Sequence, residues 1–490
     1  MITRLKVDGF KSLLNTELYF GPFTCIAGAN AIGKSNLFDA LVFLSLLADN
    51  TIIQAAKSIR SEDQKHSNIK DIFFKSGAQY YETISLEVDM LVPEIAEDDL
   101  GQVAKATITS LRYLLVLKLN EENNSGEPIE ILKEELKPIT LKDARSKIYF
   151  SQSKEWLNSV LFGRRSGAPF ISTEGDKIKL HQDGNKGRST EFISERMPRT
   201  LLSTVTAESP TAFLARQEMR NWMMLQFEPS SLRQPNSTFE VKNAEITASG
   251  LNLPATLYRL HNERTESDVY QSITNNLKDL VSDVDEIFID KDEKRDLLTL
   301  QVKFKDGLIL PAQSLSDGTL RFLGLAIIKE DNSSGVICLE EPENGINPNK
   351  VEKMVSLLKE ITTDSEYPVD EDNPFRQVII NSHSPIVVSN VPEESLYLAK
   401  EKEQYLEQFG KKVKYTGFSA LNKTWKTINK LVEITSLGEI NNYLENNLNE
   451  SDFSNNIISE NQNTYLPKSS AKKVSRTVAQ HIFQLKLELK

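Results

Sequence analysis

The stretch GANAIGKSN, residues 28–36, constrains this chain more than any other part of its sequence. Its spacing is G-x-x-x-x-G-K-S, in which glycines let successive backbone N–H groups surround an anion, the lysine reaches the β- and γ-phosphates, and the serine hydroxyl ligates Mg²⁺. The strand-like run FTCIA precedes it, and SNLFDALVFLSLL follows with the apolar spacing of a helix. A helix N-terminus favours negative charge. We therefore predict a nucleotide site here, the alternative being an ordinary glycine turn.

The length and composition are those of a globular protein without membrane spans. The 490 residues allow about two to four domains, or one large domain with insertions. No apolar run approaches the length needed to cross a bilayer, and the N-terminus MITRLKVDGF is strand-like rather than a signal peptide. Cys25 and Cys338 lie in apolar strands, as small buried hydrophobes of a reducing compartment do. We expect a cytoplasmic protein that does not bind a membrane.

The pattern along the chain predicts five segments. Residues 1–142 consist mostly of strands around one long helix, and residues 143–235 are more polar, with the helical stretch TAFLARQEMRNWMML, as in an insertion or lid. Residues 236–440 alternate helix and strand, which favours a parallel sheet. Residues 441–463 contain nine asparagines among 23 positions and are interpreted as a linker. Residues 464–490 form a basic tail.

The charge of the chain gives only local support for nucleic-acid binding. The formal net charge is −11, so no overall field attracts a polyanion. The segment Lys468 to Lys490, however, holds six basic residues and one acidic residue. It is either a nucleic-acid patch or a solvated amphipathic end.

Two adjacent acids end the apolar strand in GVICLEEPENGINP, residues 335–348. One carboxylate at the tip of such a strand suits the water shell of a nucleotide-bound Mg²⁺, and the next suits the activation of an attacking water. We assign Glu340 to the metal side and Glu341 to the general base. An apolar strand that ends in two glutamates without a catalytic role is the alternative.

Two further segments suit a nucleotide site. QSLSDGTLRFLGLAII, residues 313–328, places a turn rich in Ser, Asp and Gly at the start of an apolar helix, which makes its N-terminus suitable for an anion. QVIINSHSPIVVS, residues 377–389, is a β-branched strand that ends in His383. A lone histidine of this kind is otherwise a structural residue.

The order of these four motifs resembles that of the ABC-type ATPases, in the RecF/SMC/OLD-like branch. Within it, the chain is similar to the compact AAA family ATPases of prokaryotic antiphage-defence and toxin operons, also in VDGFKSL and SGLNLPATLYRL. The resemblance implies an α/β fold: an ABC-type P-loop ATPase head with a mixed or parallel central sheet, an N-terminal antiparallel β-subdomain and an inserted, partly helical lid. It also implies that residues 337–341 are the Walker B strand and that the strand ending at His383 lies between this strand and the P-loop strand, which would prevent a Cys25–Cys338 disulfide.

By this resemblance the motifs form one composite site for ATP and Mg²⁺. Ser35 and Glu340 would bind the metal, and Lys34, Glu341 and His383, the switch histidine, would be catalytic. The signature loop would contact ATP bound to the opposite subunit, so that hydrolysis needs a pair of heads. The nucleotide-binding residues implied are Gly28, Asn30, Gly33, Lys34, Ser35 and Asn36 of Walker A, Ser316, Asp317 and Gly318 of the signature, and Lys11 and Ser12 near the base and ribose.

The sequence departs from the family pattern at several positions. Walker B has Glu340 where most relatives carry Asp, the signature is LSDGT rather than LSGGQ, and Ala31 replaces a common glycine. The resemblance does not assign the Q-loop glutamine, for which Gln79 is a candidate. These departures bear on the rate of hydrolysis more than on nucleotide binding.

The resemblance implies an ATPase that dimerises on ATP and regulates or licenses a separate effector, a nuclease or toxin, in antiphage defence. The residues after His383 lack the strand pattern of a Toprim nuclease, so we expect no nuclease in the same chain. The alternative is a RecF-like ATPase of DNA repair or replication, for which nucleic acid is the partner. A transporter subunit does not explain VDGFKSL or the insertion, and an SMC-type arm would need heptads that the chain lacks.

Overall fold

The computed structural model describes residues 1–59, 68–120, 128–163, 168–183, 189–264, 268–331, 335–436 and 438–440. The predicted linker 441–463 and basic tail 464–490 lie outside them. The strands, in chain order, are β1 (Ile2–Asp8), β2 (Thr16–Tyr19), β3 (Phe23–Ala27), β4 (Lys75–Ser76), β5 (Gln79–Tyr80), β6 (Thr83–Leu91), β7 (Ile95–Glu97), β8 (Val103–Lys105), β9 (Ser110–Leu119), β10 (Ile129–Pro138), β11 (Ile171–Glu174), β12 (Lys177–Leu180), β13 (Thr190–Ile193), β14 (Trp222–Leu225), β15 (Asn236–Ser237), β16 (Val284–Asp292), β17 (Leu297–Phe304), β18 (Ile309–Pro311), β19 (Gly335–Glu340), β20 (Arg376–Ser382), β21 (Leu396–Leu406), β22 (Lys411–Leu421) and β23 (Glu433–Thr435).

The helices lie between these strands. In chain order they are α1 (Lys34–Leu46), α2 (Ile52–Ser58), α3 (Leu141–Lys147), α4 (Lys154–Val160), α5 (Pro210–Arg220), α6 (Pro229–Leu232), α7 (Leu253–Glu263), α8 (Val269–Leu280), α9 (Asp317–Glu330), α10 (Val351–Ile361), α11 (Pro385–Asn390) and α12 (Trp425–Ile428). Short 3₁₀ turns occupy Ile69–Ile72, Ser194–Arg196, Leu202–Thr204, Thr238–Asn243, Ala312–Ser314, Pro348–Lys350, Glu393–Ser395 and Glu407–Phe409. Among the described residues, no helix combines the length and apolarity that crossing a bilayer requires.

The central sheet carries the motifs and has the strand order β14-β19-β20-β3-β21-β22-β23. The first five strands run parallel, and β22 is antiparallel to β21. Strand β20, which ends before His383, thus lies between the P-loop strand β3 and the Walker B strand β19, as predicted. Cys25 and Cys338 are on β3 and β19, and both are buried free thiols, which confirms the expected absence of a bridge.

A second, antiparallel sheet is built mainly from the first part of the chain. Its strand order is β13-β12-β11-β10-β9-β6-β1-β2. A third, small sheet joins β15, β17 and β16, with β18 paired to β17. The predicted α/β fold, with a largely parallel central sheet and an N-terminal antiparallel subdomain, is therefore confirmed.

Residues 143–235 contribute to both large sheets. They supply β11, β12 and β13 to the antiparallel sheet and β14 to one edge of the central sheet. The prediction that TAFLARQEMRNWMML is helical throughout is wrong at its end, because α5 stops at Arg220 and β14 begins at Trp222. The run WMML is short and entirely apolar, so its hydrophobic pattern does not distinguish a helix from a strand. It forms a strand because it pairs in parallel with Val336 to Leu339 of β19.

Helix α1 is sandwiched between the two large sheets. Its side chains Leu37, Phe38 and Leu41 are at most 1% exposed and belong to the same apolar cluster as the inner faces of β1, β6 and β9. The other face of the central sheet is covered by the cluster that contains α7, α8, α9 and α10. Burial of each such side chain stabilises the fold by roughly 1.5–3 kcal/mol. Packing on both sides fixes the N-terminus of α1 at the carboxyl ends of the parallel strands of the central sheet.

Candidate functional site

The Walker A loop leaves the buried strand β3 and enters α1 through a residue that has to be glycine. Gly33 has a φ of 94°, and a Cβ placed there would overlap the hydroxyl oxygens of Ser12 and Thr416. Ala31 also has a positive φ, of 61°, at the position where the family pattern has a common glycine. L-residues with a side chain adopt this conformation at a cost. The loop is therefore strained at Ala31 and closely backed at Gly33.

Lys34 is the buried cation of the Walker A loop. Its side chain is folded back so that Nζ donates hydrogen bonds to the carbonyl oxygens of Gly28, at 2.7 Å, and Ala29, at 2.8 Å. Burial lowers the pKa of Lys34, and the nearby carboxylates, Glu341 foremost, oppose this shift. The ammonium group is thus held within the loop by acceptors that a phosphate can replace.

Glu340 ends the Walker B strand among amide side chains. Its Oε1 accepts a hydrogen bond from Asn381 Nδ2, at 3.1 Å, and its Oε2 lies 3.4 Å from Gln226 Nε2. Asn381 is on β20, beside Glu340 in the parallel register, and Gln226 directly follows β14. The carboxylate is therefore oriented from the two neighbouring strands.

Glu341 and His383 are in direct contact. His383 Nδ1 and Glu341 Oε1 are 2.6 Å apart, and Asn344 Nδ2 donates to Glu341 Oε2 at 3.0 Å. Glu341 has a φ of 47°, and its backbone N–H donates to Asn381 at both the carbonyl and the side-chain oxygen. A left-handed conformation in a non-glycine residue is typical of functional sites. The structure thus brings together the predicted base and the predicted switch histidine.

The signature loop begins α9 and contacts residues 342–348 of the same chain, which the resemblance assigns to the D-loop. Ser316 caps the helix by accepting a hydrogen bond from Thr319 N, at 3.2 Å, and is exposed together with Asp317. Gly318 is buried, and a Cβ there would overlap the carbonyl oxygen of Gly345. The signature and D-loop segments of one chain therefore form one surface.

Arg233 fixes the start of this surface. Its Nη2 donates to Leu315 O at 3.0 Å and to Asp317 Oδ1 at 2.5 Å. Arg233 directly follows α6, and nothing in the sequence pattern indicated this role.

Lys11 and Ser12 lie beside the first turns of α1. Lys11 Nζ is 2.8 Å from Asp39 Oδ2, and Ser12 Oγ accepts a hydrogen bond from Asn36 Nδ2 at 2.7 Å. Their proximity to Walker A is thus observed, whereas their contact with a base or ribose stays a prediction. Thr416, on β22, was missed from the sequence: its hydroxyl donates to Ile32 O at 2.8 Å and lies 2.6 Å from Ser12 Oγ.

The structure offers a different Q-loop glutamine from the one considered above. Gln79 lies in the short β4–β5 hairpin, paired with Ser76. Gln226 instead extends toward Glu340 from the end of a central-sheet strand. A glutamine directly after the apolar run WMML was the available signal, but the run was interpreted as helix. We therefore replace Gln79 by Gln226 as the candidate.

The oxygen donors available suit Mg²⁺ brought in with a nucleotide. Within the described ranges, no group of three or more His, Cys, Asp or Glu side chains could hold a metal ion by itself. Mg²⁺ keeps several waters and is usually bound through one or two carboxylates together with substrate phosphates. The hydroxyl of Ser35, in the first turn of α1, and the carboxylate of Glu340 are donors of the right kind.

The sequence also matches a known protein family. Residues 23–94 and 259–389 match the family described as "AAA domain, putative AbiEii toxin, Type IV TA system". The two matched segments contain Walker A, the signature, Walker B and His383. In these two segments the chain is similar to AAA-type ATPase domains. Residues 95–258, between the matched segments, include β14 and Gln226.

The solved structures that resemble this chain include SMC heads. No match was found among curated proteins. An SMC head bound to the C-terminal winged-helix domain of ScpA is 14% identical, with 86% of this chain and 98% of that chain covered and a TM-score of 0.42. The SMC head domain from Thermotoga maritima is 14% identical, with 86% of this chain and 99% of that chain covered and a TM-score of 0.36. The Pyrococcus furiosus SMC head with an extended coiled coil, bound to the C-terminal domain of ScpA, is 13% identical, with 88% of this chain and 99% of that chain covered and a TM-score of 0.42. The likeness to ATPases rests on the family match and the site geometry.

Proposed function

We propose that the protein is a Mg²⁺-dependent ATPase whose ATP-bound heads pair, and that this pairing licenses a separate effector in prokaryotic antiphage defence. The observation that carries the proposal is the orientation of the signature loop. Ser316 and Asp317 are exposed, and their hydrogen bonds go to Thr319 and Arg233 rather than to Walker A of the same chain. An anion-binding helix N-terminus that its own phosphate loop does not use is suited to the nucleotide of a second copy.

The residues at the carboxyl ends of the parallel strands have separate tasks in hydrolysis. Lys34 and the loop N–H groups bind the β- and γ-phosphates, and Glu340 would hold the water shell of Mg²⁺. Glu341 accepts the proton of the attacking water, and His383 holds its carboxylate through Nδ1. Mg²⁺, when bound, neutralises charge that develops on the phosphates. Since hydrogen bonds fix both carboxyl oxygens of Glu341, the base is oriented before the reaction.

The effector part of the proposal is supported by the family description. That description names a toxin and a type IV toxin–antitoxin system for the family, not for this chain. An ATPase in such a setting acts by controlling assembly, because ATP-dependent pairing creates a surface that single heads lack. We propose a nuclease or toxin encoded separately as the effector.

Light scattering of Glu341→Gln with and without ATP tests the paired state. The amide keeps the shape of the carboxyl group but does not take up a proton, so we expect an ATP-bound dimer that persists. The matched control is Glu403→Gln, an exposed acid on β21, which should hydrolyse ATP and release the dimer as the wild type does. A Glu341→Gln protein that binds ATP and stays monomeric would contradict the proposal.

A further inference from the structure

A third acid of the Walker B segment, Glu343, has no part in the roles above. Its side chain is buried, with 9% exposed, and is close enough to Glu341 and His383 to interact with their charges. Its Oε1 accepts a hydrogen bond from the hydroxyl of Ser382. Its Oε2 is buried without a hydrogen-bond partner among the described residues. A buried carboxyl oxygen without a partner costs free energy, so the fold alone does not account for a glutamate here.

The hydrogen bonds of Glu343 lead to the turn that carries His383. Ser384 N donates to Ser382 Oγ at 2.9 Å, and the Ser382 hydroxyl donates onward to Glu343. The residues on both sides of His383 are thereby tied to Glu343. Glu341, two residues before Glu343, contacts the imidazole itself at 2.6 Å. Besides the contacts of Asn381 with Glu340 and Glu341, the Walker B loop and the end of β20 are therefore joined by the Glu341–His383 contact and by the Glu343–Ser382 hydrogen bond.

The charges around Glu343 come from several elements. Burial raises the pKa of Glu343, the charge of Glu341 adds to this, and the Ser382 hydrogen bond and His383 oppose it. Lys34 of α1 and Cys25 of β3 also lie close enough to Glu343 for its charge to affect their pKa values. Burial thus disfavours the charged form, and the contact with Ser382 needs only a carbonyl-type acceptor. A glutamine at this position supplies that acceptor.

We propose that Glu343 is a positioning residue, which fixes the His383 turn through Ser382 and so maintains the contact between His383 and Glu341. Its kinetic consequence rests on the proposed ATPase function. The geometric consequence, the placement of the imidazole, does not depend on hydrolysis.

Steady-state kinetics of four variants tests the kinetic consequence. Glu343→Ala should lower kcat by about 10- to 100-fold, less than loss of the base itself, with KM and the Kd for a slowly hydrolysed analogue changed less than about threefold. Glu343→Gln should stay within about fivefold of the wild type. Ser382→Ala should resemble Glu343→Ala, and the double variant should be no worse than either, since both remove one interaction.

The matched control is Glu134→Ala. Glu134 is a fully buried carboxyl group on β10, in the antiparallel sheet, and it accepts hydrogen bonds from the backbone N–H groups of Leu201 and Leu202 and from the Tyr113 hydroxyl. It should lower the melting temperature while kcat per folded molecule is unchanged. The positioning role is overturned if Glu343→Ala behaves like this control, if Glu343→Gln loses as much kcat as Glu343→Ala, or if the two single effects add in the double variant.

Histidine NMR separates this inference from the proposed function. The imidazole signal of His383, assigned by its loss in His383→Ala, should shift in Glu343→Ala and keep its position in Glu343→Gln and Glu134→Ala. An unshifted signal in Glu343→Ala overturns the inference even if the protein is an ATPase. A wild type that hydrolyses no ATP refutes the proposed function, whereas a shifted signal in that same protein still supports the positioning role.

Discussion

At the level of single residues, Lys34 has the environment that the proposed phosphate site requires. The residue is 6% exposed, and its ammonium group donates to two loop carbonyls, from which it can turn toward a phosphate. These carbonyl oxygens are neutral acceptors, and an anionic phosphate oxygen would be a stronger partner for the ammonium group.

We expect Lys34→Ala to weaken binding of a slowly hydrolysed ATP analogue by roughly 10- to 100-fold, because it removes a charge-assisted contact to the β- and γ-phosphates. Isothermal titration measures the effect. Lys294→Ala, in the exposed turn between β16 and β17, is the matched control and should bind normally. Unchanged affinity in Lys34→Ala would refute the assignment of the loop.

The two adjacent acids should differ in what they do. Glu341→Gln should keep analogue binding and lower steady-state hydrolysis by roughly 10²- to 10⁴-fold, the usual effect of losing a general base. Glu340→Gln should instead weaken the dependence of binding on Mg²⁺, because it removes a charged oxygen ligand. If Glu340→Gln bound normally and failed to turn over while Glu341→Gln stayed active, the two roles would be reversed.

At the level of elements, local patterns predicted the strands and helices that carry the motifs. FTCIA is β3, SNLFDALVFLSLL is α1 displaced by one residue, and the strand before His383 is β20. The residues that were missed are brought to the site only by tertiary pairing. Gln226 follows a strand whose neighbour decides its conformation, and Thr416 lies on β22, far along the chain from the Gly33 that it backs. Glu343 is part of the segment GVICLEEPENGINP, but its burial depends on how the residues after β19 pack, which the sequence pattern does not indicate.

The signature element should act on the partner copy. Ser316→Arg places a bulky cation on an exposed position, and it should leave analogue binding by single heads intact while abolishing ATP-dependent pairing and hydrolysis. We choose it over Gly318→Arg because Gly318 is buried against Gly345, and an arginine side chain there would disturb the fold of its own chain. Ser153→Arg, which removes the equivalent cap from α4, is the control.

Mixing Ser316→Arg with Lys34→Ala sharpens this test. One arrangement of the hybrid pair joins an intact phosphate loop to an intact signature loop, so part of the ATPase activity should return. An inactive mixture of two folded variants would show that each active site is built from one chain.

At the level of the whole molecule, one buried acid joins the antiparallel sheet to the 3₁₀ turn at Leu202–Thr204 and should make stability depend on pH. Glu134 lies on β10 and accepts hydrogen bonds from Leu201 N, at 2.7 Å, and Leu202 N, at 2.8 Å. Burial raises the pKa of Glu134 from 4.5 to about 7. The folded state therefore holds this proton more tightly than the unfolded state does.

The sign of the effect follows from that difference. The stability from Glu134 is fully present below pH 4.5 and is lost as the pH rises through about 7. We expect the free energy of unfolding of the wild type to fall relative to Glu134→Gln between pH 5 and pH 8, by at most about 3 kcal/mol. Urea unfolding at both pH values measures this. Lys426, whose pKa burial lowers to about 7, titrates equally in both proteins and cancels in the comparison. A wild type that gains stability over the variant would contradict the prediction.

The strand order of the central sheet has a consequence for how the protein is made. β3 is synthesised long before its neighbours in the sheet, β20 and β21, which lie more than 300 residues further along the chain. Pairing between such distant segments is slow, and incomplete chains expose apolar strand edges in the meantime. The loop after β3 therefore lacks the sheet that supports it until β20 and β21 have been made. We expect any nucleotide binding by the nascent chain to arise only after that point in synthesis.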